Sequence, residues 1–515
     1  MSLAVLMSRS LVGLDAPIVR VETHLSSGLP SFVIVGLADA EVRESRERVR
    51  AAIQSSGYTF PSGRLTVNLS PADLPKESGR FDLPIALGVL LVSGQINLPE
   101  FSASSGRVIT LPELSQWVVA GELSLSGLLV PIAGAISIAL AVARSQSGAH
   151  LVLPLASAMQ AARVPGISVL AAGSLQDVVQ HLTGEMPLKR PPMAPDQPPV
   201  QSAECLSDVR GQNMARRALE VAAAGKHSLL LTGTPGVGKS MLAKRLPGIL
   251  PPMTPVECLE VASISAFNGQ KELAWGVRPF RSPHHTASPA AVIGGGAKPR
   301  PGEVTLAHRG VLFLDELPEF DRRVLEALRE PLESKEVSIA RARFKIDFPA
   351  DFQLIAAMNP CPCGWIGHTV KKCSCRAEQI QRYQGRLSGP MLDRIDLAVT
   401  IGESDVNWIE LASGESSAVV KARVVRARGA QMDRQQCANA QLSATLLDNN
   451  CLMSTPASRL LEKIVHLERL SARSIQKLRR VARTCADLSG AELIQADHVA
   501  EAFQYRLRSL APGVA

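Results

Sequence analysis

Short apolar runs separated by polar and glycine-rich stretches recur through the first third of the chain. Runs of this kind predict buried strands, whereas longer amphipathic patterns predict helices. The predicted strands lie at 32–35, 65–68, 117–120 and 151–153, and the predicted helices at 40–55 and 136–145. The pattern therefore indicates a mixed α/β domain over residues 1–183.

A different pattern follows in the middle of the chain, where the apolar run Leu229–Leu231 leads directly into a glycine-rich turn. The turn fits GxxxxGK[ST] at every fixed position, with a helix-like segment at 241–246 behind it. Its residues are Gly233, Thr234, Pro235, Gly236, Val237, Gly238, Lys239 and Ser240. An ordinary glycine-rich turn before a helix is the alternative, but the complete motif predicts a phosphate-binding loop.

The spacing of this loop matches the needs of a bound triphosphate. Glycines allow the backbone N–H groups to point at phosphate oxygens, while the following helix directs its positive dipole end toward them. Lys239 is expected to reach the β and γ phosphates, and Ser240 to ligate Mg²⁺. ATP and Mg²⁺ are therefore the predicted cofactors.

An acidic pair follows a second apolar strand, at 311–314. Asp315 is placed to hold the Mg²⁺ shell, and Glu316 to polarise the attacking water. Acidic turn residues capping a strand would look similar, but the phosphate loop upstream completes the site. A third predicted strand, 353–358, ends at Asn359.

Two CxC pairs follow Asn359 closely. They consist of Cys361, Cys363, Cys373 and Cys375. Four neighbouring thiolates suit tetrahedral Zn²⁺ in a structural role; free thiols, an oxidisable pair and an iron–sulfur cluster are the alternatives. His284 and His285, which lie in a glycine- and proline-rich insertion, have no acidic or thiol partner nearby in the sequence and are not expected to bind metal.

Composition bounds the remaining possibilities. The chain has 515 residues, nine cysteines, a net charge of +8 and a pI near 9.1. This length suggests roughly two to four domains. The charge allows a polyanionic partner, although scattered surface cations would give the same total. No signal-peptide pattern is visible, and the most apolar run, 128–143, is interrupted by Pro131 and Gly134, so we expect a cytoplasmic protein without a membrane partner.

Cationic and apolar residues alternate between Glu336 and Ile346. A period of two predicts Arg341, Arg343 and Lys345 on one face of a hairpin. A solvated edge strand explains the pattern, and so does contact with nucleic-acid phosphates. A basic segment at 421–428 is more readily explained as a solvated helix face.

The first domain resembles the proteolytic domain of Lon proteases. The similarity lies in the segment from Gly121 to Pro154 and in the upstream Leu74–Glu77. Ile136 stands where that family has its catalytic lysine, and residues 79–84 contain no serine at the nucleophile position. Because a Ser–Lys dyad needs both groups, the resemblance implies a Lon-like fold without peptidase activity.

The later segments resemble AAA+ modules of the magnesium-chelatase and MCM branch. Residues 208–212 with the helix at 214–224 resemble the module's entry, and Asn359 has the position of the polar sensor. Residues 388–396 resemble the segment whose arginine reaches a neighbouring subunit, which makes Arg394 the expected trans-acting finger. Residues 471–473 resemble the second sensor, which assigns Arg473 to the phosphates of the nucleotide bound by the same chain. The basic hairpin is similar to the MCM hairpin that touches DNA.

Over essentially its whole length the chain resembles the YifB/ComM family of magnesium-chelatase-like ATPases. The resemblance implies a hexameric DNA helicase that drives branch migration during natural transformation, with single-stranded and branched DNA as partners. The expected organisation is a Lon-like α/β domain (1–183), a proline-rich linker (184–202), an AAA+ P-loop core (203–402) and a C-terminal helical lid (403–515). A metal-chelatase ATPase subunit and a protein-remodelling ATPase are the alternatives.

Overall fold

The chain forms two compact units. The computed structural model describes residues 3–36, 40–76, 78–96, 116–145, 148–192, 204–269, 275–296, 299–341, 344–368, 370–402 and 413–506. One unit comprises Met1–Gln197 with Cys258–Trp275, and the other comprises Pro198–Glu257 with Gly276–Ala515. Within the described ranges, no helix combines the length and the apolar character needed to cross a bilayer.

The first unit is a mixed α/β structure. Its elements are β1 (Leu3–Arg9), β2 (Ile18–Ser26), β3 (Ser31–Val35), α1 (Ala40–Ser55), β4 (Arg64–Ser70), α2 (Asp82–Val92), β5 (Trp117–Val119), β6 (Glu122–Leu123), β7 (Leu129–Val130), α3 (Ala135–Ser145), β8 (His150–Pro154), α4 (Leu155–Ala161), β9 (Ser168–Ala172) and α5 (Leu175–Leu182). The predicted strands and helices of this region are confirmed, and α1 has the predicted bounds.

A seven-stranded sheet in the order β3-β4-β2-β1-β5-β8-β9 organises this unit. Strand β4 shows why it forms: Leu65, Val67 and Leu69 alternate toward the core, with polar residues between them. Helix α2, which has no polar stripe, is buried almost throughout. Ile136 of α3 is fully buried among apolar side chains, so this position contributes to packing. The absence of peptidase activity stays a prediction.

The second unit contains the phosphate loop. Its elements, with α8 reaching into the segment assigned to the first unit, are α6 (Asn213–Gly225), β10 (Leu229–Gly233), α7 (Lys239–Ile249), α8 (Pro255–Phe267), β11 (Phe280–Arg281), α9 (Pro289–Ile293), β12 (Gly294–Gly295), β13 (Arg300–Pro301), α10 (Glu303–Leu306), β14 (Val311–Leu314), α11 (Arg322–Ala327), α12 (Arg329–Ser334), β15 (Glu336–Arg341), β16 (Phe344–Pro349), β17 (Gln353–Met358), α13 (Ala377–Gln384), α14 (Gly389–Leu392), β18 (Leu397–Ile401), α15 (Ser417–Gln435), α16 (Ala444–Asn450), α17 (Thr455–Glu468), α18 (Ala472–Ser489) and α19 (Ala496–Gln504).

A parallel five-stranded sheet in the order β11-β14-β17-β10-β18 forms the centre of this unit. In parallel sheets, ligands bind beyond the carboxyl ends of the strands. The phosphate loop follows β10, the acidic pair follows β14 and Asn359 follows β17. The topology therefore places the three predicted motifs together, beyond the carboxyl ends of the parallel strands.

The C-terminal helices share one hydrophobic core with this sheet. The cluster runs from Leu206 to Tyr505 and includes buried residues of α6, β10, α15, α18 and α19. The carbonyl of Tyr505 accepts a 2.7 Å hydrogen bond from the amide of Ala398 in β18. Arg428 of α15 donates to the carbonyls of Ala223 and Ala224, and burial lowers its pKa to about 10. This arginine of the basic segment therefore serves internal packing.

Strands β15 and β16 form the predicted hairpin, but its faces differ from the prediction. Arg341 pairs with Phe344 and Ala340 with Lys345, so positions 341 and 345 alternate to opposite faces. The prediction of a single basic face is wrong for these two positions. The chain reverses direction between them, so the alternation of faces along one strand does not continue into the next. Arg343 lies outside the described residues.

Candidate nucleotide site

Lys239 is held at the centre of the phosphate loop. Its Nζ donates to the carbonyls of Gly233 (2.7 Å) and Thr234 (2.9 Å) and to Oδ1 of Asn359 (3.0 Å). Burial lowers the pKa of Lys239, and the nearby charges of Asp315 and Glu316 partly offset that shift. The predicted sensor and the predicted phosphate lysine are thus brought into direct contact.

Two glycines of the loop have conformations that other residues rarely adopt. Gly236 and Gly238 have φ of 85° and 91°, and a Cβ at either would have no heavy atom within 4 Å. Their backbone therefore borders open space, as a cradle for phosphate oxygens requires. A Cβ on Gly233 would lie 2.6 Å from the carbonyl oxygen of Ile401, so close strand packing demands glycine there.

The magnesium side of the site joins the two predicted ligands directly. Ser240 Oγ donates to Asp315 Oδ2 at 2.6 Å, and Asp315 Oδ1 accepts the backbone N–H of Glu316 at 3.0 Å. A hydroxyl and a carboxylate at this separation are the oxygen donors that Mg²⁺ prefers. The residues present therefore fit a bound Mg²⁺–nucleotide.

Glu316 has an unusual backbone and a partner that we did not anticipate from the sequence. Its φ of 53° places it in the left-handed region, which is rarely adopted by residues with a side chain. Its Oε2 lies 3.2 Å from Nδ1 of His285. No local sequence signal connects His285 to a residue 31 positions away.

The four cysteines of the CxC pairs converge beside this site. Cys361 Sγ lies 3.5 Å from Cys363 Sγ and 3.7 Å from Cys373 Sγ, and all four sulfurs lie within 4.8 Å of one another. A tetrahedral Zn–S₄ centre, with bonds of about 2.3 Å, requires sulfurs about 3.8 Å apart. The geometry is compatible with zinc.

The cysteine loop also packs on the phosphate loop. A Cβ on Gly364 would lie 2.7 Å from both Cδ and Cγ of Pro235. Asn359, which contacts Lys239, is separated from Cys361 only by Pro360. The cysteine cluster and the nucleotide site are therefore parts of one packed region.

Arg394 and Arg473 lie together rather than at the phosphate loop. Both contact Glu333: Arg394 pairs with it closely, and Arg473 lies 3.6 Å from it. The two arginines line a cavity of about 390 Å³ together with Lys477 and Arg480, among others. The ion pairs of Arg473 are to Glu333 and Asp393, and no described contact of either arginine reaches the phosphate loop of the same chain. The contact of Arg473 with the phosphates of its own chain stays a prediction.

Three family models match the chain: "Magnesium chelatase, subunit ChlI" at residues 205–408, "Subunit ChlI of Mg-chelatase" at 21–157, and "Magnesium chelatase, subunit ChlI C-terminal" at 414–506. The uncharacterized protein YifB of Salmonella typhimurium is 45% identical over 98% of this chain and 97% of its own. The competence protein ComM of Haemophilus influenzae is 44% identical over 98% of both chains. The chain belongs to the YifB/ComM family of magnesium-chelatase-like proteins.

The magnesium-chelatase 67 kDa subunit of Chlorobaculum parvum is a more distant relative. It is 26% identical over 30% of this chain and 23% of its own. Membership of the YifB/ComM family makes this chain an AAA+ ATPase with ATP and Mg²⁺ as cofactors. Lys239 and the loop amides would hold the phosphates, and Ser240 with Asp315 the metal, which neutralises charge on the transferring phosphoryl group.

Proposed function

We propose that this YifB/ComM-family ATPase is a ring-forming DNA helicase and translocase that promotes branch migration during homologous recombination and natural transformation. The observation that carries the proposal is the similarity, over nearly the full length of both chains, to a competence protein. The phosphate loop and acidic pair supply an ATP site to drive movement. Single-stranded and branched DNA are the proposed partners, and the cytoplasm is the proposed location.

The ATP site is proposed to be completed by a neighbouring subunit. Arg394 and Arg473 lie at a cavity whose described lining contains no residue of the phosphate loop. An arginine that stabilises phosphoryl transfer without reaching its own nucleotide is suited to a neighbour's. Head-to-tail contacts that close give a ring, and the family resemblance favours six subunits. We assign Arg394 to this trans-acting role.

The hairpin β15–β16 is the proposed DNA contact. Lys345 is exposed on the same face as Ser338 and Asp347, which hydrogen-bond to each other at 2.6 Å. Repeated around a ring, Arg341, Arg343 and Lys345 would present cations to backbone phosphates without reading sequence. Since positions 341 and 345 face opposite ways, one of them is expected to dominate.

The cysteine cluster is proposed to hold a structural Zn²⁺. Four sulfur donors fill a tetrahedral shell and leave no open position for chemistry. Metal analysis of the purified protein tests this assignment. About one zinc per chain is expected, and a fully folded sample without zinc, whether metal-free or containing iron, would contradict it.

The decisive experiment measures ATP hydrolysis alone and with single-stranded DNA, duplex DNA, a branched DNA junction, denatured protein or porphyrin. Stimulation by DNA, with salt-sensitive DNA binding, is expected. Lys239→Ala provides the inactive control. Hydrolysis that no DNA stimulates, in a protein that does not bind DNA, would refute the helicase proposal.

A magnesium-chelatase-type ATPase subunit is the second candidate, favoured by the three chelatase-family matches. Stimulation by porphyrin but not by DNA would select it. Stimulation by denatured protein alone would indicate a protein-remodelling ATPase instead.

The hairpin assignment has its own test. Arg341→Ala and Lys345→Ala are compared separately for DNA binding at increasing salt and for nucleotide binding. Loss of a phosphate contact should weaken DNA binding across sequences and reduce the salt slope by about one. Equal loss of nucleotide and DNA binding would indicate a folding role.

A further inference from the structure

The segment 359–386, which carries the cysteine cluster and α13, is strongly basic. Its only acidic residue is Glu378, so its net charge is +4, against +8 for the whole chain. The five cations are Lys371, Lys372, Arg376, Arg382 and Arg386. A zinc ion on four thiolates would contribute a charge of about −2, which leaves the segment basic. Neither the nucleotide site nor the cysteine cluster therefore accounts for this charge.

Helix α13 directs part of this charge into a cavity. Its Tyr383 is buried, and Gln384 Nε2 donates to the carbonyl of Pro360 at 3.1 Å, so the helix is anchored to the segment after β17. Arg382, in the last turn, and Arg386, just beyond the helix, are four positions apart and share a face. Both line a cavity of about 490 Å³ beside the cysteine loop.

The same two arginines also line a second cavity, of about 750 Å³. Its opposite wall includes Arg322 and Arg323, at the start of α11. The two cavities have Glu319, Arg382 and Arg386 in common, so they form one continuous depression. We call this depression, with its four arginines, the basic groove. Like charges that converge in one groove repel each other, and a bound polyanion would relieve that repulsion.

The ion pairs of the groove leave Arg382 available for a ligand. Arg386 pairs with Glu319 at 2.7 Å, and Arg323 pairs with Asp321 at 2.9 Å. Arg382 borders both cavities, is exposed and forms no ion pair within the described ranges. A guanidinium group in this setting is suited to a phosphate, which it binds through two parallel N–H groups.

The aromatic rings of the segment are occupied by other contacts. Tyr383 is buried, and the Lys371 ammonium lies 4.1 Å from the ring centroid of Trp365. The ring of His368 also meets Trp365 edge-on, with the centroids 4.9 Å apart. The groove therefore offers cations to a backbone rather than stacking surfaces to bases, which is typical of binding without sequence preference.

We propose that the basic groove binds the phosphodiester backbone of single-stranded DNA, with Arg382 as the principal phosphate contact. Cavities of this size accept part of a single strand, whereas a duplex would stay outside. The groove is a second contact, separate from the hairpin β15–β16. This inference rests on the proposed function, since that function makes DNA the polyanion.

Four substitutions test the role of Arg382. Arg382→Ala removes the charge, Arg382→Glu reverses it, and Arg382→Lys keeps it. Arg459→Ala is the matched control, because Arg459 is an exposed helical arginine of α17 that likewise has no ion pair in the described part of the chain. Thermal unfolding and the affinity for a fluorescent ADP analogue check the fold and the phosphate loop. Sedimentation velocity checks the assembly state.

Fluorescence anisotropy of a labelled oligo-dT strand, titrated at several KCl concentrations, provides the readout. Arg382→Ala is expected to weaken binding about fivefold and to reduce the slope of log K against log salt by about 0.7, the value for one phosphate contact on a single strand. Arg382→Glu should weaken binding further, and Arg382→Lys should keep most of the affinity and the slope. Arg459→Ala should resemble wild type, and blunt duplex DNA should be bound equally by all variants.

Three results would overturn the inference. The first is an affinity and salt slope for Arg382→Ala equal to those of Arg459→Ala, and the second is a loss that affects only duplex DNA. The third is a loss of DNA binding only where sedimentation shows that the assembly has dissociated, which would make the groove a contact between copies of the chain.

Failure of the proposed function has a different signature, because it is seen in the wild-type protein. ATP hydrolysis that DNA does not stimulate would refute the helicase, while the comparison of Arg382 and Arg459 variants would still decide whether the groove binds a strand. A wild-type protein that binds no oligo-dT at any salt concentration would overturn both.

Discussion

The packing of the cysteine loop on the phosphate loop can be tested with two glycines. Gly364 and Gly367 have φ of 82° and 76°, so alanine at either adopts an unfavourable left-handed conformation. That conformation costs about 1–2 kcal/mol. Only at Gly364 would the new Cβ also collide, 2.7 Å from two ring atoms of Pro235, whereas at Gly367 nothing lies within 4 Å.

The collision sets the expected difference between the two variants. Carbon atoms pack at about 3.5–4.0 Å, so alanine at 364 must displace Pro235 or its own loop by about 1 Å. Overpacking of this kind costs about 1–3 kcal/mol beyond the backbone strain. Because Pro235 belongs to the phosphate cradle, part of this energy is expected to appear as weaker nucleotide binding.

Titration with a fluorescent ADP analogue and urea unfolding measure the two contributions. Gly364→Ala should raise the Kd for nucleotide about tenfold, which corresponds to about 1.4 kcal/mol. Gly367→Ala should lose about 1–2 kcal/mol of stability with unchanged nucleotide affinity. Equal nucleotide affinity in both variants would refute the idea that the cysteine loop supports the phosphate loop.

Three further predictions concern other parts of the ATPase. Mixing Arg394→Ala subunits with Lys239→Ala subunits should recover ATP hydrolysis, because some subunit junctions in a mixed ring combine an intact phosphate loop with an intact Arg394. No recovery at any ratio of the two variants would contradict action in trans. Asp351→Ala should destabilise the protein by about 1–3 kcal/mol in urea unfolding, since it removes a buried carboxylate that pairs with two partly exposed cations. Asp351 lies 2.7 Å from both Lys226 and Arg309. A loss no larger than that of the exposed Asp321→Ala would contradict this. Hydrogen bonds from the Ser207 side chain and the Ser417 backbone lower the pKa of Cys205 to about 6. Peptide mass spectrometry should therefore show that iodoacetamide alkylates Cys205 at the same rate from pH 8 to about 7, and more slowly below about pH 6. A rate that already falls tenfold per pH unit below pH 8 would contradict the shift.

Features set by neighbouring residues could be predicted from the sequence. Helix α1 has the predicted bounds because its helical pattern and flanking breakers are local. The strands before the phosphate loop, the acidic pair and Asn359 were predicted for the same reason, and parallel pairing then brought their ends together.

Features set by register or by distant pairing could not be predicted. Which residues share a face of the hairpin depends on where the chain turns, and the alternation of cationic and apolar residues does not reveal the position of the turn. Strand β11 has only two residues, too few for a periodic signal, yet its pairing with β14 places His285 beside Glu316. Glu333, which brings Arg394 and Arg473 together, belongs to no motif and is identified only by its contacts.

The shared core of the second unit has a consequence for the order in which the protein becomes functional during synthesis. The phosphate loop leaves the ribosome long before α18 and α19, whose apolar residues cover the same core as β10. The amide of Ala398 likewise emerges before its acceptor, the carbonyl of Tyr505. A nascent chain that ends after β18 therefore carries every catalytic motif up to Arg394 on a sheet with an uncovered apolar layer. Nucleotide binding is therefore expected only in chains whose C-terminal helices have packed against the sheet.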